Sequence, residues 1–275
     1  MLTKDEWPLI SIITVCFNAQ KTIKRAVESV LKQSYKNIEY IIIDGKSTDH
    51  TLSIINEYRK HIAVIISEKD KGITDAWNKG IARANGDYIH ILNADDYWPE
   101  NKLEVSLHSL MENKEYGFVH GDVILVDEMG NNLIYIDGPK DYHNKLPFTM
   151  GRLNHPTLLA TKECYTKVGL FDLTWKIGMD YDWLLRAHNL GIRGIYNQNV
   201  IAYMQIGGNS DRNWIKNYRD TRDISIHNGL LPWKAYIYYY LRIIKRCISI
   251  VLQLLLPKRF SLLLNKGRKV IQVKK

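Results

Sequence analysis

Two adjacent carboxylates, Asp95 and Asp96, follow directly on the short apolar run Tyr88 to Leu92. The run comes after the turn pair Asn85-Gly86 and reads as a buried strand. Open α/β sheets hold ligands beyond the carboxyl ends of their strands. Neighbouring aspartates repel when both are ionised. A divalent cation with a phosphate-bearing substrate removes that cost. The competing reading makes the pair a cap for a helix starting near Pro99. A second acidic pair, Asp180 and Asp182, opens a helical stretch after Gly178, where the macrodipole favours negative charge. Asp182 stands four residues before Arg186, and an ion pair is its simpler role; Asp180 has no such obvious partner. Asp75 and Asn78 share a helix face apart from the packing face of Ile73, Ala76, Trp77, Gly80, Ile81 and Ala84, and point to a ligand or to water.

These groups need a frame. Leu9 to Val15 is an apolar, β-rich run, and Ile23, Ala26, Val27, Val30 and Leu31 follow at helical spacing. Ile38 to Ile43 is a second buried strand that stops at Asp44-Gly45. Ser47, Thr48 or Asp49 can cap the next helix, which carries Leu52, Ile55 and Tyr58. Ala63 to Ser67 is a third strand. This alternation predicts a doubly wound, mostly parallel α/β sheet. Neither GxGxxG nor GxxxxGK[ST] occurs, which disfavours a dinucleotide-dependent dehydrogenase or a P-loop NTPase. Beyond the aspartate pair, Leu103, Leu107, Leu110 and Met111 mark a helix. Phe118 to Asp127 and Leu133 to Ile136 form a hairpin. Pro139 to Asn154 is a loop, Thr157 to Ala160 a strand, and Lys162 to Val168 a helix ended by Gly169. Gly207-Gly208-Asn209-Ser210 reads as a loop or a hinged cover.

Of the 275 residues, 45% are hydrophobic, enough for one large domain with an appendage. Met1 to Pro8 is short and polar, which argues against a signal peptide. Three scattered cysteines fit a reduced, cytoplasmic setting. The net charge of +9 is uneven: eleven Lys or Arg and no acid lie between Ile224 and Lys275. The aromatic and aliphatic residues in that tail are interrupted by Arg242, Lys245 and Arg246, so it is too broken to span a bilayer. It suits an amphipathic helix on an anionic membrane surface, or helices packed on the domain or on a second copy.

Six segments, in order over about residues 9 to 190, resemble those of family-2 (GT-A fold) inverting glycosyltransferases of bacterial O-antigen and exopolysaccharide (colanic-acid-type) synthesis. They are ISIITVCFN, IIIDGKSTDHT, SEKDKGITDAWNKGI, GDYIHILNADD, NHPTLLATKECYTKVGLFD and GMDYDWLLR. Asn93 departs from the pattern where many relatives carry aspartate, which leaves open which carboxylate holds the metal. The resemblance implies a GT-A catalytic domain over 1–222, with a Rossmann-like nucleotide-sugar half (9–97), an acceptor half (98–222), and a basic aromatic tail over 223–275. It implies inverting transfer from a nucleotide diphosphate-sugar to a saccharide acceptor carried on a polyprenyl diphosphate, at the inner face of the cytoplasmic membrane, with Mg²⁺ or Mn²⁺.

In that scheme Asp96, with Asp95, holds the metal, or Asp95 touches the ribose. Val15, Phe17 and Asn18 lie under the base, with Asp44 at its edge. Asp70, Asp75 and Asn78 line the same crevice, and Asp180 is the base. His155, and less so Asp182, meets acceptor or diphosphate. A sugar-nucleotide nucleotidyltransferase would show a glycine-rich basic loop where ITVCFNAQKTI stands. A nucleic-acid-binding protein would not confine its positive charge to an aliphatic tail.

Overall fold

The computed structural model describes residues 7–149, 153–207, 213–255 and 268–270. The apolar run at the start of the chain becomes β1 (Ile10–Cys16), every residue of it buried. A strand covered on both faces needs this unbroken apolarity. It pairs in parallel with β2 (Ile38–Asp44) and with β4 (Tyr88–Asn93), and β2 pairs with β3 (Val64–Ser67). Helices α1 (Ile23–Leu31), α2 (Thr51–Glu57) and α3 (Ile73–Ile81) make the crossovers. Asp49 takes the Thr51 N–H at 2.9 Å and so satisfies the start of α2. Gly80 lets α3 lie against β1, because a Cβ there would overlap the Ile13 side chain. Gly80→Ala is expected to cost about 1–3 kcal/mol through overpacking, read as a lower denaturant midpoint at unchanged slope.

After α4 (Lys102–Glu112) the sheet continues through β5 (Phe118–Val126), β6 (Asn132–Ile136) and β7 (Leu159–Thr161). The strand order is β3-β2-β1-β4-β7-β5-β6, with β9 (Arg268–Val270) against β6 and β8 (Gly194–Gln205) alongside β5. β7 runs antiparallel to both β4 and β5, while β8 is parallel to β5. Hence β5 and β8 point the same way as β1 to β4. The strand expected over Thr157 to Ala160 begins later, because His155–Thr157 forms a 3₁₀ turn. Its second residue is Pro156, which has no N–H to give a ladder.

Helices α5 (Lys162–Val168) and α6 (Met179–Asn189) cover one face of this half. Two further elements were not anticipated. β8 is one, its register with β5 broken between His120 and Asp122. The other is α7 (Trp214–His227), which runs through the 222/223 boundary expected from the sequence. The tail then forms one 24-residue helix, α8 (Pro232–Leu255). Among the described residues no helix is long and apolar enough to cross a membrane. Of the glycine-rich stretch after β8, residues 208–210 lie outside the described residues.

Candidate active site at the carboxyl edge of the sheet

The ends of β1, β2 and β3 form one rim. Val15 is buried beneath it, whereas Phe17 is 63% exposed and presents an aromatic face. Gly45 lies against Phe17 and the Asp70 carboxylate, so the three loops converge on one spot. Asn18 adopts φ 50°, and its Oδ1 accepts the Thr48 N–H at 2.9 Å, which ties the β1 loop to the β2 loop. Asp44 is fully buried and accepts from the Ser47 N–H (3.0 Å), the Ser47 hydroxyl (2.5 Å) and the Ser67 hydroxyl (2.6 Å). A base edge would reach this carboxylate only by displacing one of those hydroxyls. Asp70 accepts the Gly72 N–H and Asp75 the Lys71 N–H, so both shape the entry to α3. Asn78 is a correction to the sequence reading. Its amide donates to Phe171 O (2.8 Å) and accepts from Phe171 N (3.0 Å), so it straps α3 to the far loop instead of lining the crevice.

At the end of β4 the chain turns through Ala94, leaving Asp95 half-buried and Asp96 buried. Asp96 accepts the Gln205 N–H at 3.3 Å and Asn93 Nδ2 at 3.4 Å. The pair does not cap α4; Asn101 stands at that N-terminus. Burial pushes both carboxyls above their usual range, and for Asp96 the neighbouring Asp95 adds to the rise. Arg25 opposes this. Its guanidinium reaches Gln205 Oε1 (2.9 Å) and Asp95 O (3.5 Å) and lies 4.6 Å over the Tyr97 ring, which stacks on Tyr203. Sequence reasoning missed Arg25, Tyr97, Tyr203 and Gln205. Arg25 looked like any surface cation on a helix, and the other three meet it only through the unforeseen β8. Asn93 Oδ1 is buried without a protein hydrogen-bond partner. Two crowded carboxylates and an orphaned amide oxygen are a hard-oxygen donor set that fits a Mg²⁺ or Mn²⁺ ion. Among the described residues no cluster of three or more His, Cys, Asp or Glu exists to hold one.

Asp180 comes to the same edge by topology. The turn after α6 returns to the start of β5, where the Gly117 N–H donates to Arg193 O, and β8 then runs parallel to β5. The C-terminus of α6 therefore lies at the amino ends of the strands, and its N-terminus, with Asp180, at their carboxyl ends. On the way there Thr74, in the first turn of α3, donates to Trp175 O. Asp180 is half-buried, accepts the Tyr181 N–H, and is raised in pKa by desolvation.

His155 is buried and stacks on Trp77 at 4.4 Å, with its Nδ1 unpaired. Burial, and then the Lys102 charge, pushes it down to about 3, so it is a neutral ring. For Asp182 the ion pair with Arg186 is the reading that holds, and the contact with acceptor or diphosphate is the one corrected. Arg186 (2.9 Å) and Asn228 (2.9 Å) occupy its two oxygens, and it pins α6 to α7 with nothing left for a substrate.

The frame that carries this edge is the part of the chain that known proteins share. The family model for glycosyl transferase family 2 matches residues 11–178. An uncharacterized glycosyltransferase of Rickettsia typhi is 33% identical over 183 residues, 64% of this chain and 57% of that protein. The Escherichia coli UDP-Glc:alpha-D-GlcNAc-diphosphoundecaprenol beta-1,3-glucosyltransferase WfaP is 41% identical over 109 residues, 39% of this chain and 43% of that one. The chain thus spans about half the length of the curated relatives it matches. The mannosyltransferase PcManGT of Pyrobaculum calidifontis, solved with GDP-Man and Mn²⁺, superposes with a TM-score of 0.61 over 94% of this chain and 79% of that one, at 19% identity. That likeness establishes the α/β fold. The matched residues hold β1, β2, the acidic end of β4 and the turn before Asp180, and the chain belongs to glycosyl transferase family 2.

Proposed function

We propose that the protein transfers a sugar, with inversion, from a nucleotide diphosphate-sugar to a hydroxyl of a saccharide carried on a polyprenyl diphosphate, in the assembly of a surface polysaccharide. One observation carries the reading: an exposed aromatic, a crowded carboxylate pair and a lone desolvated acid all stand on one edge of the sheet. Phe17 offers a face for the base to stack on, beside Asn18 and Asp70. Asp96, Asp95 and the Asn93 amide oxygen would hold a Mg²⁺ or Mn²⁺ ion, which when bound supplies positive charge beside the departing diphosphate. Asp180 takes the proton of the attacking hydroxyl. A single displacement needs one such base, which is consistent with inversion. WfaP, by its name, uses UDP-Glc and a diphosphoundecaprenol-linked acceptor, and PcManGT was solved with Mn²⁺; both support this reading.

The same reading takes α8 as a contact with the inner membrane face. Trp233, Ile237, Leu241, Ile244, Ile248 and Val251 recur every three to four residues and are all exposed, while Ala235 on the opposite side is buried. An outward apolar stripe in a segment without acids matches an anionic bilayer surface. Ile237→Glu combined with Ile244→Glu is expected to weaken association with anionic vesicles by about 10²-fold. Flotation assays check this, and retention like that of the wild type would remove the stripe from the interface. The donor assignment is tested by a thermal-shift screen of UDP-, GDP- and dTDP-sugars with and without Mn²⁺, since a ligand of the folded state raises its stability. No shift with any of them would refute it.

A further inference from the structure

The rim where β1, β2 and β3 end offers a flat aromatic face and two polar groups that each keep one hydrogen-bonding position open. The face is the exposed Phe17 ring. Gly45 stands at its edge. A Cβ there would lie 3.4 Å from the Phe17 ring and 2.5 Å from Asp70 Oδ2, so ring and carboxylate meet over the same bare backbone. The other oxygen of Asp70, Oδ1, accepts the Gly72 N–H at 2.9 Å. Among the described residues nothing donates to Oδ2. Asn18 follows Phe17 directly and is exposed. Its Oδ1 takes both the Thr48 N–H (2.9 Å) and the Thr48 hydroxyl (3.3 Å), which fixes the amide plane and leaves Nδ2 as the outward end. Asp44 is different. It is fully buried, and Ser47 and Ser67 supply three donors to its two oxygens.

A base stacked on Phe17 therefore meets an acceptor at Asp70 Oδ2 and a donor at Asn18 Nδ2. Together they complement a ring N–H beside a carbonyl. Adenine and cytosine have no ring N–H on that edge and would set a ring lone pair against the carboxylate. Guanine carries a ring N–H and an exocyclic amine side by side, which match a carboxylate with both oxygens open. Here the Gly72 N–H holds one of them. Uracil and thymine present a single N–H between two carbonyls, and one free carboxylate oxygen with one amide N–H is their counterpart. Stacking alone tolerates any base, because every base has a π-face. The choice between bases falls to the groups at the edge.

We propose that the donor nucleotide carries uracil or thymine, and that Asp70, not Asp44, selects it by accepting the base N3–H while Asn18 donates to the adjoining carbonyl. The inference rests on the proposed use of a nucleotide diphosphate-sugar and names its base. It is tested on the full chain with Mn²⁺ by calorimetric titration of UDP, dTDP, GDP and CDP. The wild type is expected to bind UDP or dTDP at least about 10-fold more tightly than GDP or CDP, the range for one charge-assisted hydrogen bond. Asp70→Asn keeps an oxygen for the Gly72 N–H and turns an amide N–H toward the base. UDP should then weaken by about 10- to 100-fold. CDP, whose N3 is an acceptor, should gain relative to UDP. A residue that only shaped the entry to α3 would weaken all four nucleotides alike. Gly45→Ala, which displaces the Asp70 carboxylate without removing it, should also erase the preference for UDP. Asp44→Asn should leave the order of the four unchanged. GDP or CDP bound more tightly than UDP and dTDP, the wild-type order retained in Asp70→Asn, or an order altered by Asp44→Asn alone would each overturn the base assignment and leave the transferase reading standing. Binding of none of the four by the wild type would sink both.

Discussion

Asp180→Asn is expected to leave nucleotide-sugar binding intact and to cut transfer by about 10²–10⁴-fold, the range for a positioned general base. Asparagine keeps the shape and still accepts the Tyr181 N–H, so the head of α6 is preserved. What is lost is the ability to take a proton. The pH profile sharpens the test. Desolvation raises the Asp180 pKa, so the acidic limb of the wild-type rate should lie above the range of an ordinary carboxylate, which is about 3.9. Activity climbs as pH rises through that limb, because the ionised form is the base. Stability moves the other way. A carboxyl with a raised folded pKa lets the folded chain hold a proton that the unfolded chain releases, so ionisation at neutral pH costs stability. Asp180→Asn removes that cost and should melt at or above the wild-type temperature at pH 7. A variant that keeps wild-type turnover would remove Asp180 from the chemistry. One that also loses nucleotide-sugar binding would make it a structural residue of the donor side.

The sequence was most legible where one physical demand dominated. β1, β2 and β4 are covered on both faces, so their apolar runs name them directly, and the acids at the ends of the β2 and β4 runs fall at the carboxyl edge without further assumption. Asp182 was readable as an ion pair because its partner is one helical turn away. β8 was not, because Asn197-Gln198-Asn199 interrupts its apolar pattern just where the register with β5 slips. Helix α7 was hidden by its composition, since residues such as Lys216, Asn217, Arg219, Asp220 and Asp223 leave too faint an apolar stripe to mark a helix. The partners that depend on these elements were lost with them. Gln205 meets Arg25 across 180 positions, and no local period signals such a pair. The polar residues around α3 show the converse limit. Asp75 and Asn78 share a helix face as their spacing requires, yet one accepts the Lys71 N–H of the loop that leads into its own helix and the other grips the Phe171 backbone. Spacing assigns a face; only the neighbours assign its use.

Asp96→Asn is expected to be the most damaging single change at the acidic edge, lowering turnover by about 10³-fold, at the upper end of what one preorganised electrostatic group contributes. Three measurements should move together. Nucleotide-sugar affinity measured with Mn²⁺ should fall toward the value measured without it, while the metal-free value stays near that of the wild type. In the wild type, the Mn²⁺-dependent gain should grow as pH rises from the acid side. Asp96 is raised by burial and by Asp95, and a carboxyl must lose its proton before it can serve a cation. Without metal, the wild type should lose stability as pH rises through that interval, because the folded state holds the proton more tightly than the unfolded chain does. Asp96→Asn should flatten that slope and melt at or above the wild type when no metal is added. This pattern separates a cation site from a structural role for Asp96 on the Gln205 N–H. A purely structural role predicts no link to Mn²⁺, because asparagine can still accept the Gln205 N–H. Asp95→Asn serves as the internal comparison. It relieves the crowding that raises Asp96, so the pH at which Mn²⁺ begins to strengthen binding should shift downward even as the maximal gain shrinks. A gain unaffected by either substitution would place the cation elsewhere and leave the two carboxylates without the role assigned to them.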